Sequence, residues 1–362
     1  MPVSSGTIAN LACSILKAFD VEHIPNQTLP VADAWLENGA TNVVVLLLDA
    51  MGSDNLIELL DKNGFFRRHV VLEYCSVFPP TTVAATASLD SGLYPNQHGR
   101  LGWTCYYEQL GKNVVVYTNK DDEGNPVADE NAADKYTPYQ SILEKIAREG
   151  YGAHRLAPFG KNCVTSIEDM GRRVRELCEL PGRKYISCYW DQPDTIMHKS
   201  GSASLSAREV LRSLENAVEQ WSGHLTDTLL FITADHGHLD ARGDVITDYP
   251  DLVDCLLRLP SIEPRTLNFF TKPGRGEAFA AAFIEHFGAD FTLFTREQVL
   301  SSHLFGPEPN HPLLPALLGD YVAVAQTERT IFNTHRQKEA LIGVHAGGTQ
   351  RERRIPLIAL KS

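Results

Sequence analysis

Six residues of this chain have the types and spacing to do chemistry: Asp49, Asp194, His198, Asp235, His236 and His345. Each stands where an apolar run ends or a glycine-rich turn begins. Asp194 and His198 are spaced i, i+4, which places both side chains on one face of a helical turn. Asp235 and His236 are adjacent and run into Gly237. Mixed carboxylate and imidazole donors suit Zn2+ or Mn2+. Six ligands suffice for two ions of three ligands each, with positions left open for a substrate. A pair of ions serves phosphoryl transfer, one activating the attacking oxygen and the other neutralising the leaving oxygen. Purely structural metals are a poor fit, because such sites are usually closed, four-ligand and cysteine-rich. Helix caps and packed core histidines would explain each residue singly but not all six together. His238 and Asp240 read equally as partners that orient ligands or as a solvated turn. Asp191 reads as such a partner or as a turn former before Pro193.

A nucleophile candidate lies in Phe78-Pro79-Pro80-Thr81-Thr82, followed by a helical run that stops at Gly92. Two prolines fix the backbone ahead of the helix, and Gly92 can adopt the left-handed conformation that ends it. A hydroxyl at a helix start faces unpaired N–H groups and the positive end of the dipole. That place suits a structural cap or a nucleophile directed at an anion such as phosphate.

Three apolar runs must carry the aspartates into place. Asn42 to Leu48 precedes Asp49, Lys184 to Trp190 precedes Asp191-Gln192-Pro193-Asp194, and Thr228 to Thr233 precedes Asp235. Such continuous runs are the pattern of strands buried on both faces. With helical patterns after them, they predict a doubly wound, mostly parallel α/β sheet whose carboxyl edge is the ligand edge. Residues 262–335 read as a small α/β insertion with its own sheet, a cap on a core formed by 1–261 and 336–362. Val70 to Phe78 and Val114 to Tyr117 read as strands, and Asp121 to Asp134 as a surface loop.

A chain of 362 residues can bury a large core. Its formal charge of −12 excludes a broad nucleic-acid surface but not small phosphorylated substrates, since a metal dominates its local field. The first residues lack a basic segment followed by an apolar run, and no apolar stretch is long enough to span a bilayer. Seven scattered cysteines without a Cys-x-x-Cys pattern point to reduced thiols and a cytoplasmic setting.

These motifs, taken in order, resemble the alkaline phosphatase superfamily, and within it the type I phosphodiesterase/nucleotide pyrophosphatase branch. The matching residues are Leu48-Asp49-Ala50-Met51-Gly52, Phe78 to Thr82 with Gly92-Leu93-Tyr94-Pro95 and His98-Gly99, Asp191 to Asp194 with His198, Thr233 to Gly237, and His345. The resemblance implies that Asp49, Asp235 and His236 hold one divalent ion with Thr82, and that Asp194, His198 and His345 hold the other. It implies Thr82 rather than Thr81 as nucleophile, a covalent phospho-threonine intermediate, and the family's doubly wound fold with a cap. Zn2+ is the expected metal, with Mn2+ the alternative. One departure is clear. Trp103 stands where nucleotide pyrophosphatases have an asparagine that donates to a phosphoryl oxygen, and Arg100, Thr104 or a nearby tyrosine would have to replace it.

The expected activity is hydrolysis of a small phosphodiester, a nucleotide or cyclic dinucleotide. A monoesterase needs an added Arg, Lys or third metal, and the absence of a compelling third metal site favours the diesterase; a phosphomonoesterase is the first alternative. A phosphomutase, a phosphonate hydrolase and a non-catalytic binding relative follow. No extended nucleic acid or membrane partner is expected, and a homodimer is allowed. Trp103, Tyr106 and Tyr107 read as core packing or a nucleobase platform, His98 as a structural loop residue, and Arg351, Arg353 and Arg354 as a solvated face.

Overall fold

The central strand β1, Asn42–Leu48, is buried along its whole length, as its unbroken aliphatic sequence predicts. The computed structural model describes residues 6–160 and 163–362. Parallel neighbours flank β1: β6 (Lys184–Trp190) on one side and β7 (Thr228–Thr233) on the other. With β2 (Val70–Cys75), β5 (Gly152–Leu156) and β12 (Arg354–Lys361), they form a six-stranded sheet in the order β2-β12-β7-β1-β6-β5. Only β12 runs against the rest, pairing antiparallel with both β2 and β7.

Helices pack in two groups against this sheet. One contains α1 (Ile8–Ala18), α2 (Thr82–Ser91) and the helix Ile142–Arg148; the other contains Ile167–Cys178, Ser53–Leu59 and α4 (Leu205–Ser222). Together with the strands they bury a large aliphatic core from Ile8 to Ala359. This is the mixed α/β, mostly parallel architecture expected.

A second sheet is wholly antiparallel, in the order β10-β11-β9-β8-β3-β4. Its strands are β3 (Thr104–Tyr107), β4 (Lys112–Val115), β8 (Ser261–Glu263), β9 (Thr266–Phe269), β10 (Phe291–Thr295) and β11 (Tyr321–Ala325). The hairpin β3–β4 comes from far outside residues 262–335 and joins through Ile262 pairing with Thr104. The strand read at Val114 to Tyr117 is shifted to Lys112–Val115, because its antiparallel partner is β3. A phenylalanine cluster of Phe269, Phe279, Phe283, Phe287 and Phe291 fills the far side of this sheet. Among the described residues no cysteine is in a disulfide, and no helix is long and apolar enough to cross a membrane.

Candidate active site

The three predicted aspartates converge because their strands are adjacent and in register. Leu48 pairs with Trp190 and Leu47 with Thr233, so the chain leaves β1, β6 and β7 at one level. The turns then interlock. Asp49 N–H donates to Trp190 O at 3.0 Å, and Asp194 N–H donates to Asp49 O at 3.2 Å. The Ala50 and His236 amides both donate to Asp235 Oδ1 at 3.0 Å. Gly52 is required here, because a Cβ would lie 2.4 Å from Gly237 Cα.

One cluster consists of Asp49, Asp235 and His236, all buried, with donor atoms within 4.8 Å of one another. His236 Nε2 lies 3.3 Å from Asp49 Oδ1 and 3.5 Å from Asp235 Oδ2. Those two carboxylate oxygens are buried with no hydrogen-bond partner. Burial, and next the negative charges of Asp235 and Asp194, push the Asp49 carboxyl well above its usual range. A divalent cation at this point would take up both orphaned oxygens and remove the repulsion, so the donor set fits Zn2+ or Mn2+.

The second cluster contains Asp194, His198 and His345, and also His238. Asp194 and His198 open α3 (Asp194–Ser200), one turn apart as the spacing predicted. His198 Nδ1 hydrogen-bonds Gly343 O at 2.8 Å, which turns Nε2 toward Asp194 Oδ1 at 3.3 Å. Residues Gly343 and Val344 pair antiparallel with Asp240 and Leu239, and this short ribbon returns His345 to the site. The His345 ring stacks on His236 at 3.8 Å between centroids, joining the two clusters. Burial works to raise Asp194, but the rings of His198, His238 and His345 outweigh it and hold its carboxyl low.

His238 is buried, its Nε2 lies 2.9 Å from Asp194 Oδ1, and its Nδ1 has no partner. The turn that carries it is clamped by Asn55, whose side chain bonds both the N–H and the C=O of His238. Asp240 lies apart and accepts from Ser202 N–H at 2.6 Å. Asp191 joins neither cluster.

Thr82 is the first residue of α2, after Thr81 in an extended N-cap conformation, and Gly92 ends the helix at φ 78°. Thr82 Oγ1 is 3.4 Å from Asp49 Oδ2 and 3.2 Å from His236 Nε2, against the first cluster. Thr81 turns the other way and donates to Glu263 Oε1 at 2.6 Å.

Of the proposed stand-ins for the missing amide, Arg100 points to Asp134 at 2.6 Å and lies over the Tyr139 ring. Thr104 lines the pocket in front of Thr82, as do Trp103 and Glu263. Tyr107 is core and Tyr106 packs on Phe270, so the three aromatics do not form one platform. His98 is buried against Ser88 and the Arg100 amide. Arg351 forks to Glu58 and also holds the His238 carbonyl.

Two contributors carried no sequence signal. Tyr189, inside β6, donates its hydroxyl to Asp49 Oδ2. Glu263 is a single acid at a strand end, and only the antiparallel pairing of β8 with β3 brings it to Thr81 and Trp103.

The sequence model of type I phosphodiesterase/nucleotide pyrophosphatase matches residues 43–263, more than half of the chain. The chain belongs to that family. It is thereby a member of the alkaline phosphatase superfamily and a metal-dependent phosphoric ester hydrolase. No curated protein sequence matches it. Among solved structures it is similar to human ectonucleotide pyrophosphatase/phosphodiesterase 5, with a TM-score of 0.69 at 17% identity over 88% of this chain and 87% of that one. The murine protein of the same name, solved in an inactive form with AMP, gives 0.67 at 17% identity, covering 88% of this chain and 87% of that one. Phosphonoacetate hydrolase from Sinorhizobium meliloti 1021, with phosphonoformate, gives 0.65 at 15% identity over 87% and 89%. At these identities the likeness is one of fold.

Proposed function

We propose that this member of the family is a phosphodiesterase that works through Thr82 and a covalent phospho-threonine intermediate, on nucleotide-type or cyclic dinucleotide substrates. The observation that carries the reading is the place of the Thr82 hydroxyl, at the start of α2 and within 3.4 Å of Asp49 and 3.2 Å of His236. Asp49, Asp235, His236 and Thr82 are the residues we assign to one divalent ion, and Asp194, His198 and His345 those we assign to the other, Zn2+ before Mn2+. Ions bound there supply positive charge for the phosphoryl oxygens and lower the pKa of an attacking oxygen.

The chain's own residues do the rest. The turn of Pro79 and Pro80 and the α2 amides aim Thr82 and meet the developing charge with the positive end of the helix. Thr82 Oγ1 bonds to phosphorus as the bond to the departing alcohol breaks, and the alcohol leaves with the proton. Water then attacks phosphorus opposite Thr82 Oγ1, on the face the alcohol left, and one of its protons returns to Oγ1 as the P–O bond to Thr82 breaks, freeing Thr82 and a phosphate monoester. His238 and Tyr189 fix Asp194 and Asp49 in orientation.

A preference for diesters follows from the pocket of about 420 Å3 in front of Thr82, which among the described residues has no Lys or Arg in its wall. A monoesterase needs an added cation for the second charge. The test is hydrolysis of bis-(p-nitrophenyl) phosphate against p-nitrophenyl phosphate by protein loaded with Zn2+ or Mn2+. The diester should be the better substrate, and Thr82→Ala should lose at least ~10³-fold in kcat. Undiminished Thr82→Ala activity, or a strong monoester preference, would overturn the reading.

A further inference from the structure

Glu263 ends β8 and presents its carboxyl where three pieces of chain meet in front of α2. Its Oε1 accepts from the Thr81 hydroxyl at 2.6 Å and from the Trp103 N–H at 2.8 Å. Thr81 directly precedes Thr82, and Glu263 and Thr82 line the same pocket. No described protein group donates to the second oxygen, Oε2, and the residue forms part of the pocket wall. β8 is locked on both sides, by β9 and by β3, so this is a rigid placement. The same wall contains a second acid, Asp122, and apolar residues such as Ile262, Leu267 and Leu341. Burial raises the Glu263 carboxyl to about 7, against the pull of its two hydrogen bonds.

We propose that Glu263 is a specificity-determining residue, whose carboxylate in the pocket wall selects phosphodiesters, whose reacting phosphoryl group carries one negative charge, over phosphate monoesters, whose reacting group carries two. The proposal rests on the phosphodiesterase reading and adds to it the side chain responsible and the charge class accepted. The physical reason is the cost of bringing like charges together in a partly desolvated pocket. A diester brings one negative charge, which the metal side of the site faces. A monoester brings a second, and an acidic wall with no Lys or Arg leaves it uncompensated.

The experiment compares kcat/KM for bis-(p-nitrophenyl) phosphate and p-nitrophenyl phosphate at alkaline pH, using Zn2+-loaded wild type, Glu263→Gln and Glu263→Asp. Glutamine keeps an oxygen for Thr81 and Trp103 and removes only the charge. The diester-to-monoester ratio should fall about tenfold or more in Glu263→Gln, the scale that one like charge sets in such a site, and stay near wild type in Glu263→Asp. Glu263→Ser, which makes no demand on fit, should lower the ratio as well and stands in if the glutamine variant folds poorly. A role limited to tethering the two loops would slow both substrates alike. An unchanged ratio in Glu263→Gln or Glu263→Ser, with full metal content, overturns this inference and leaves the phosphodiesterase reading standing. A wild-type enzyme that does not prefer the diester overturns both.

Discussion

Tyr189 shows how closely single side chains are set around Asp49. Its hydroxyl donates to the carboxylate that also faces Thr82 and His236. Removing such an outer partner typically costs 10–100-fold in metal affinity or activity. Tyr189→Phe is therefore expected to weaken metal binding by about 10-fold or more, with its fold intact. Competition with a chromogenic chelator measures this, and wild-type affinity in Tyr189→Phe would show that the contact is incidental. The six acidic and imidazole ligand candidates were legible in the sequence because they stand near the ends of apolar runs, in glycine turns or, for His198, one helical turn after Asp194. Tyr189 was not, since a tyrosine within β6 is an ordinary residue of a buried strand. His238 was only half legible. Its proximity to the Asp235-His236 turn was evident, while its 2.9 Å approach to Asp194 depends on how the turn is clamped by Asn55.

At the scale of elements, α2 is the piece whose ends matter most. Its first residue is Thr82, and its end is fixed by Gly92 at φ 78°. A Cβ on Gly92 would also meet Cys13 Sγ and Pro25 Cγ at 3.1 Å. Gly92→Ala should cost ~1–3 kcal/mol of stability, read from denaturant midpoints, and should lower activity in proportion to the misplacement of α2. The short helix Pro95–His98 beyond it ends in His98, buried and held down to about 3 by burial first and by Arg100 next. A depressed folded pKa means that the unfolded chain takes up the proton first. Stability from this group is thus complete above the unfolded value near 6.5 and falls as pH drops toward 3, with a limiting slope of about 1.4 kcal/mol per pH unit. His98→Gln should flatten the stability profile over that window, and an unchanged slope would remove His98 as its cause. β1, β6 and β7 were readable because unbroken apolar runs mark them, and α4 because a helical pattern recurs over its 18 residues. β3 was not, because it is four residues long and exists only through pairing with β4 and the distant β8.

At the scale of the whole molecule, a buried ion pair helps tie the second sheet to the site. Arg265 and Glu352 are both inaccessible and meet at 2.6 Å and 2.9 Å. Glu352 also accepts from Gly347 N–H, and Thr266 holds the Ala346 carbonyl, so this junction sets the loop that carries His345. Arg265→Met leaves a buried carboxylate unpaired and should cost about 3–5 kcal/mol, a loss that Arg265→Met with Glu352→Gln should partly recover. Calorimetry checks both, and a silent Arg265→Met would mean the junction does not bear on stability. Metal removal belongs to this scale too. If both clusters hold ions as proposed, chelation should lower Tm, since a ligand at 100 times its Kd stabilises by about 2.7 kcal/mol. The class of the main sheet, mostly parallel with helices around it, was readable from its apolar runs. The composition of the second sheet was not, because antiparallel pairing between residues 104–115 and 261–325 leaves no mark in either stretch alone.

The central claim, transfer through Thr82, is tested most directly by the stereochemical course at phosphorus. A chiral aryl phosphorothioate diester, hydrolysed in isotopically labelled water by the metal-loaded enzyme, distinguishes two in-line displacements from one. The account predicts overall retention of configuration, with turnover abolished in Thr82→Ala. Inversion would mean that water attacks phosphorus directly, and it would contradict the account.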